Sequence, residues 1–354
     1  MDHVLTIRTF DQLRDVAYGF RLARILLSAL DLNLFTVMGT QSWTPKALAQ
    51  ALSASERGVS ILCRNLASVG LLHKRGSRYL NSRLGRTVLN AQHPEYRGAY
   101  LDLVRRQWEH WSSLTEAVRS GRPVEEDGPE DPEYRRAFSW AMHQRAIEAA
   151  RQVARQLDLR SVHSLLDVGG GPGTYALAFL AKNPALVATV WDRPAALEVA
   201  KELAASVRHG TRLSLCAGDF FHDPVPGRYD VMWLSNVVHI YSPEENMKLL
   251  RKLRRALNPG GRLVIQDTFL QDPQGLRPLE TNLFAVTMLL FTETGNTYHL
   301  RDVHHWVRRA GFHTSRTIRL HKGTGDWEGI LVEGKVARTD KGQRAEKSWR
   351  PKLT

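Results

Sequence analysis

Cysteine is nearly absent: Cys63 and Cys216 are the two in 354 residues, far apart and in no metal-ligand spacing. Their scarcity excludes a disulfide scaffold and argues against a structural zinc site. It fits a reducing compartment. Long apolar runs are missing as well. The longest candidate, Leu283 to Phe291, has nine residues against the ~20 a membrane helix needs. No basic-then-apolar start resembles a signal peptide. The expected compartment is the cytoplasm, with no membrane partner. Hydrophobic residues make up 43% and charged residues 24%, ordinary values that exclude a disordered chain or a collagen-like rod.

Charge of one sign is in excess, at +13. Residues 1–100 carry 13 Lys and Arg against 6 Asp and Glu, and residues 101–354 carry 36 against 30. The last 21 residues hold seven basic and two acidic side chains. A basic field attracts acidic substrates, phosphates and nucleic acids alike. After Val336 apolar residues almost vanish, so 334–354 is expected to be a disordered basic tail.

From Phe10 to Phe35, apolar residues at Leu13, Ala17, Phe20, Leu27 and Leu30 recur at helical spacing and predict an amphipathic helix. Thr44-Pro45 and Ser55-Glu56 are helix starts, with a hydroxyl N-cap and, at Pro45, proline at N1. Gly70-Leu71-Leu72, basic residues and Tyr79-Leu80 then read as a small hairpin. Two short helices and a hairpin form a winged-helix pattern, which suits DNA binding or dimerisation equally. This assigns 1–100 to a winged-helix-like domain. Residues 101–150 form a helical linker segment, broken by a Pro/Gly/acidic loop over 121–132. At Val162 the character changes: apolar strands alternate with helices over 151–333. The expected fold is α/β, a mainly parallel sheet with helices on both faces.

The first of these strands runs through Asp167-Val168 into Gly169-Gly170-Gly171-Pro172-Gly173. Glycines at 169, 171 and 173 permit a sharp turn and close approach to a ligand. A dinucleotide fingerprint needs glycine at 174, where threonine stands. The G-x-G-x-G spacing fits instead a loop for S-adenosylmethionine (SAM). At the end of the second strand, Asp192 can accept both hydroxyls of a ribose. The third ends Gly218-Asp219-Phe220, an acid and an aromatic suited to an adenine's amino group and face. Three such motifs at successive strand ends point to one site.

With these motifs the chain resembles the SAM-dependent small-molecule O-methyltransferases typified by the caffeate, acetylserotonin and bacterial polyketide enzymes. The resemblance covers nearly the whole chain and is strongest from Asp167 to Asp267. It implies a class I methyltransferase fold with SAM as cofactor. It also implies a homodimer formed through the winged-helix-like domain, with no nucleic-acid partner. It adds Arg193, Ser235 and Asn236 to the cofactor contacts and makes His239 the general base, oriented by Asp267. An imidazole with an unperturbed pKa near ~6.5 suits removal of a phenol proton. Phe138 and Met142 match the family's Phe-x-x-x-Met segment. His143, Met288, Thr292, Thr297, Tyr298 and His299 fall where the acceptor binds, and His143, His299 and Arg301 could hold an acidic acceptor.

Three departures stand out. Thr297 occupies the place of a second carboxylate beside the histidine, Ser235 that of a lysine, and Ile240 that of an aspartate. Transfer to a phenolic or polyketide-like hydroxyl is the favoured expectation. Methylation at sulfur on a small carboxylic acid, or at carbon, needs no general base and stays open. So do a SAM-sensing winged-helix regulator and a cofactor-dependent reaction that transfers no methyl group.

Overall fold

The computed structural model describes residues 6–124, 132–320 and 330–337. The chain divides into two compact units, residues 1–109 and 110–354. In the first, α1 (Phe10–Tyr18), α2 (Phe20–Asp31) and α3 (Leu34–Met38) replace the single helix that the apolar spacing predicts. At Gly19 the amide bonds to Val16 O, one residue short of a helical partner. At Asn33 the backbone turns left-handed, φ +54°, a conformation asparagine adopts more readily than most residues. The next helices, α4 (Pro45–Ala51) and α5 (Glu56–Ser68), start on the predicted caps: Thr44 accepts from Ala47 N–H and Ser55 from Gly58 N–H.

A hairpin of β1 (Leu72–Arg75) and β2 (Arg78–Asn81) follows, then α6 (Arg83–Thr87) and α7 (Gly98–Arg106). Leu34, Phe35, Met38, Leu48, Val59, Cys63, Leu66 and Leu72 pack into the core of this unit. Helix α1 contributes no buried residue to it.

The division falls within α8 (Trp108–Ser112), and the second unit continues with α9 (Leu114–Ser120) and α10 (Pro132–Gln156). Helix α10 passes unbroken through residue 150. Its Ala149, Ala150, Val153 and Ala154 are buried, and it packs on α11 (Thr174–Lys182) and α12 (Pro194–Ala205). The segment read as a linker therefore belongs from His110 onward to the second unit, in which one face of α10 is core. Of the loop over 121–132, residues 125–131 lie outside the described residues.

Five strands run parallel: β3 (Ser164–Val168), β4 (Val187–Asp192), β5 (Leu213–Ala217), β6 (Tyr229–Ser235) and β7 (Leu257–Gln266). A two-residue pair, β8 (Phe269–Leu270) and β9 (Tyr298–His299), stands apart from β10 (Thr314–Arg319) and β11 (Ile330–Lys335). The sheet order is β10-β11-β7-β6-β3-β4-β5, with β11 antiparallel to both its neighbours. Alternate residues face opposite layers, as a pleated strand requires. Leu165, Val190, Val231 and Trp233 pack with α10, α11 and α12. Leu166, Trp191, Met232 and Leu263 pack with α13 (Pro243–Arg255) and α15 (Leu300–Arg309), while α14 (Leu279–Phe291) follows β8.

Strand β11 runs to Lys335, so sheet structure continues past the 333/334 boundary that composition suggests. Gly334 and Lys335 pair with Leu263 and Arg262. The buried Glu333 is held by Arg262 (2.8 Å) and Arg316 (2.7 Å). Residues 338–354, most of the basic tail, lie outside the described residues. Among the described residues no helix is long and apolar enough to cross a membrane, and no cluster of His, Cys, Asp and Glu could hold a metal ion.

Candidate active site

The strand order reverses at β3, between β4 and β6, and it is outside the carboxyl ends at such a reversal that open α/β sheets bind ligands. The register lines up Val168 with Trp191 and Leu234, Asp192 with Ala217, and Ser235 with Gln266. Five loops leave the sheet in one row.

The first is the glycine turn. Gly169, Gly171 and Gly173 have φ of +64°, +50° and +69°, where a β-carbon is strained. Gly170 has an ordinary backbone, yet a β-carbon there would lie 2.5 Å from Asp167 Cγ. The G-x-G-x-G spacing does not single out Gly170, whose place between two glycines and three residues after Asp167 is the signal in the sequence. Asp167 is 1% exposed and its Oδ2 has no hydrogen-bond partner. Burial pushes its pKa up to about 7, against the opposing bond from the Ala176 amide. A buried, unanswered carboxylate oxygen beneath a glycine turn fits a ligand that brings an ammonium group.

Asp192 Oδ2 accepts from Gly171 N–H (2.7 Å) and its Oδ1 from Arg193 N–H (2.7 Å). Burial raises its pKa and these two bonds oppose the rise. Each oxygen keeps a lone pair for a diol. Gly218 N–H reaches Asp192 O (3.0 Å). Asp219 Oδ1 caps a turn by accepting from Phe221 N–H (2.7 Å), and the Phe220 ring stands edge-on to Trp191 (6.3 Å) and Tyr241 (5.8 Å). Ser235 Oγ donates to Gln266 Oε1 (2.9 Å) and accepts from Asn236 Nδ2 (3.1 Å). Asn236, at φ +56°, is left-handed without being glycine, which is common at functional sites.

His239 lies in a single turn, Val238–Ile240, just after β6. Its Nδ1 is 2.7 Å from Asp267 Oδ1, and both side chains are buried. The same carboxylate accepts from Thr268 N–H (2.8 Å) and His239 N–H (3.3 Å). The Phe284 ring meets the imidazole edge-on, centroids 4.7 Å apart. Thr268 and Thr281 hydroxyls share a 2.6 Å hydrogen bond that ties α14 to this corner. Thr281 and Phe284 escaped the sequence reading, though their helical spacing with Met288 is visible in it. Asn296 N–H donates to His239 O (2.9 Å), and Thr297 beside it is buried.

The acceptor candidates are less uniform. Phe138 is 41% exposed and stacks on Tyr134; Met142 is half-buried. His143 Nδ1 meets Thr174 Oγ1 at 2.9 Å, so it is tied to the first residue of α11, and burial pushes its pKa down to about 4. Met288 is buried. Thr292 Oγ1 donates to Met288 O (2.6 Å) and accepts from Gly295 N–H (3.0 Å), closing the end of α14. Tyr298 is committed elsewhere: its hydroxyl donates to Tyr241 O (2.6 Å) and its ring packs on Trp306. His299 stands at the N-cap of α15 beside Gly275, and Arg301 is exposed next to Asp302.

A family model described as an O-methyltransferase domain matches residues 111–313, and one described as an O-methyltransferase dimerisation domain matches residues 15–91. The chain is 30% identical to a 3-hydroxy-5-methyl-1-naphthoate 3-O-methyltransferase of Streptomyces sahachiroi, over 87% of this chain and 91% of that protein. It is 29% identical to the acetylserotonin O-methyltransferase of Mus musculus, over 94% and 91%. The crystal structure of human N-acetylserotonin methyltransferase in complex with SAM is similar at TM-score 0.82 and 25% identity, over 94% of this chain and 99% of that one.

Proposed function

The chain belongs to the O-methyltransferase family, and we propose from that premise that it methylates a hydroxyl of a small phenolic or polyketide-like molecule with His239 as general base. It is a SAM-dependent methyltransferase. Bound SAM supplies an electrophilic sulfonium methyl. The groups that suit SAM are the unpartnered Asp167 oxygen beneath the glycine turn, the Asp192 carboxylate with its free lone pairs, and the Asp219–Phe220 pair. Arg193, Ser235 and Asn236 complete the row of strand ends.

The observation that carries the reading is the buried His239–Asp267 pair. An Asp267 carboxylate that already accepts two amide hydrogens is placed to accept a third from Nδ1, which favours the tautomer with hydrogen there. That leaves the Nε2 lone pair to take a proton from an acceptor hydroxyl as its oxygen is methylated. Asp267 holds the ring and stabilises the imidazolium that forms, the division of labour in a triad. Phe284 restricts the ring from its flank. With one carboxylate and no second acid at Thr297, the base depends wholly on Asp267.

His239→Ala should lose ~10²–10⁴-fold in kcat, measured with labelled SAM on a panel of naphthols and hydroxylated polyketide aromatics. A loss below tenfold would remove the general-base role and favour sulfur or carbon acceptors. Association as a homodimer through the first unit, and a cytoplasmic location consistent with two free cysteines, complete the proposal.

A further inference from the structure

We propose that Lys252 is a positioning residue for the cofactor: from α13 it clamps the loop 218–223 against Trp191 at the end of β4. The inference rests on the reading above that Asp219 and Phe220 receive the adenosyl end of SAM. Lys252 Nζ donates to the carbonyls of Phe220 (2.8 Å) and Asp223 and lies 5.6 Å from the centroid of the Trp191 ring.

The loop's internal hydrogen bonds shape it but do not place it, and Phe220 and Phe221 pack on Tyr241. Asp219 Oδ1 accepts from the Phe221 amide, Asp223 Oδ2 accepts from the Asp219 amide (2.8 Å), and the Asp223 amide donates to Asp219 O (2.7 Å). All of these bonds close within five residues. Outward polar ties come from Gly218 N–H to Asp192 O at the start and from Lys252 at the middle and end.

Trp191 is the surface that the clamp closes on. A β-carbon at Gly218 would lie 2.7 Å from Trp191 Nε1, and the Phe220 ring meets Trp191 edge-on. Asp192, which offers its carboxylate to a ribose, is the next residue after Trp191. A single ammonium group, charge-assisted to two carbonyls and facing an indole, thus holds the ribose and adenine sides of the site at a fixed spacing.

The test compares Lys252→Met, which keeps the apolar stem and removes the donors, with Lys252→Arg, which restores charge and donors. Calorimetric titration with S-adenosylhomocysteine is run beside Phe220→Ala and Asp192→Ala. With the loop released, binding must order it, and affinity should fall about tenfold in Lys252→Met. KM for SAM should rise in step, while kcat at saturating SAM stays within about twofold, and Lys252→Arg should recover most of the loss. If Phe220→Ala and Asp192→Ala bind as wild type, the cofactor is not at this loop, and the clamp falls with that reading. If both weaken binding and Lys252→Met does not, the clamp alone is wrong. A fall in kcat with KM unchanged, or a Lys252→Met chain without native circular dichroism, makes Lys252 a structural residue and overturns the proposal.

Discussion

A β-carbon at Gly170 would lie 2.5 Å from Cγ of the buried Asp167 carboxylate, so one of the two must shift. Asp167 lies beneath the turn at 1% exposure, and Gly170 O accepts from Gly173 N–H (2.8 Å). Gly170→Ala is therefore expected to destabilise the chain by about 1–3 kcal/mol, the range for overpacking a tight interior. It should also weaken S-adenosylhomocysteine binding by at least about tenfold. Urea denaturation and calorimetry check both. Stability within about 0.5 kcal/mol of wild type would mean that Asp167 swings aside. The comparison with Gly171 explains what the residue pattern reveals and what it hides. Gly171 is demanded by its positive φ, a local property that glycine spacing reports. Gly170 is demanded by a contact with Asp167 that exists only once the turn has folded. His239 and Asp267 fall between these cases: their residue types suggest the chemistry, but the 2.7 Å bond depends on β6 and β7 lying side by side.

The parallel strands are legible because each carries a short apolar run set off by turn residues, although β5, at the sheet edge, has no fully buried residue. The helices packed around the sheet are harder to read. Helix α10 has a weakly apolar composition and looks like a connector, yet its alanines form the contact with α11 and α12. Its attachment includes the His143–Thr174 hydrogen bond, which ties α10 to the first residue of α11. The half-buried imidazole makes the attachment sensitive to acid. Burial lowers the folded-state pKa of His143 from 6.5 to about 4, so between those values the unfolded chain takes up a proton that the folded chain refuses. The associated stability is complete above pH ~6.5 and is lost as pH falls toward ~4. His143→Gln, which cannot titrate, should flatten this dependence. Between pH 7 and pH 5, the fall in unfolding free energy should be greater in wild type than in the variant by of order 1 kcal/mol, after allowance for partial exposure. Equal losses in both chains, measured by urea titration, would assign the acid sensitivity to other groups.

In the whole molecule, the apolar stripe at the start of the chain has no use within its own unit. Phe10, Leu13, Val16 and Phe20 are 77%, 52%, 47% and 56% exposed, and no residue of α1 is buried. A nine-residue helix is marginal in water even with the capping box that Thr9 and Gln12 provide here. The helical period of this stripe is plain from the residues, but periodicity cannot say whether the apolar face meets its own core or another chain. The dimerisation-domain match over 15–91 favours a second copy of the chain, which would also supply the packing that keeps α1 helical. Wild type should therefore sediment as a dimer at tens of micromolar, with a melting temperature that rises with concentration. Phe10→Asp combined with Leu13→Asp places two charges on the stripe and should yield a monomer whose melting temperature is independent of concentration. Its circular dichroism should show the loss of about two turns of helix, the length of α1. The core of the first unit, centred on Phe35, Met38 and Leu66, includes neither residue, so the rest of that unit should stay folded. A wild-type chain that sediments as a monomer would leave the stripe without a second copy to cover it and would overturn the dimer. A dimer that survives both substitutions would move the interface away from α1.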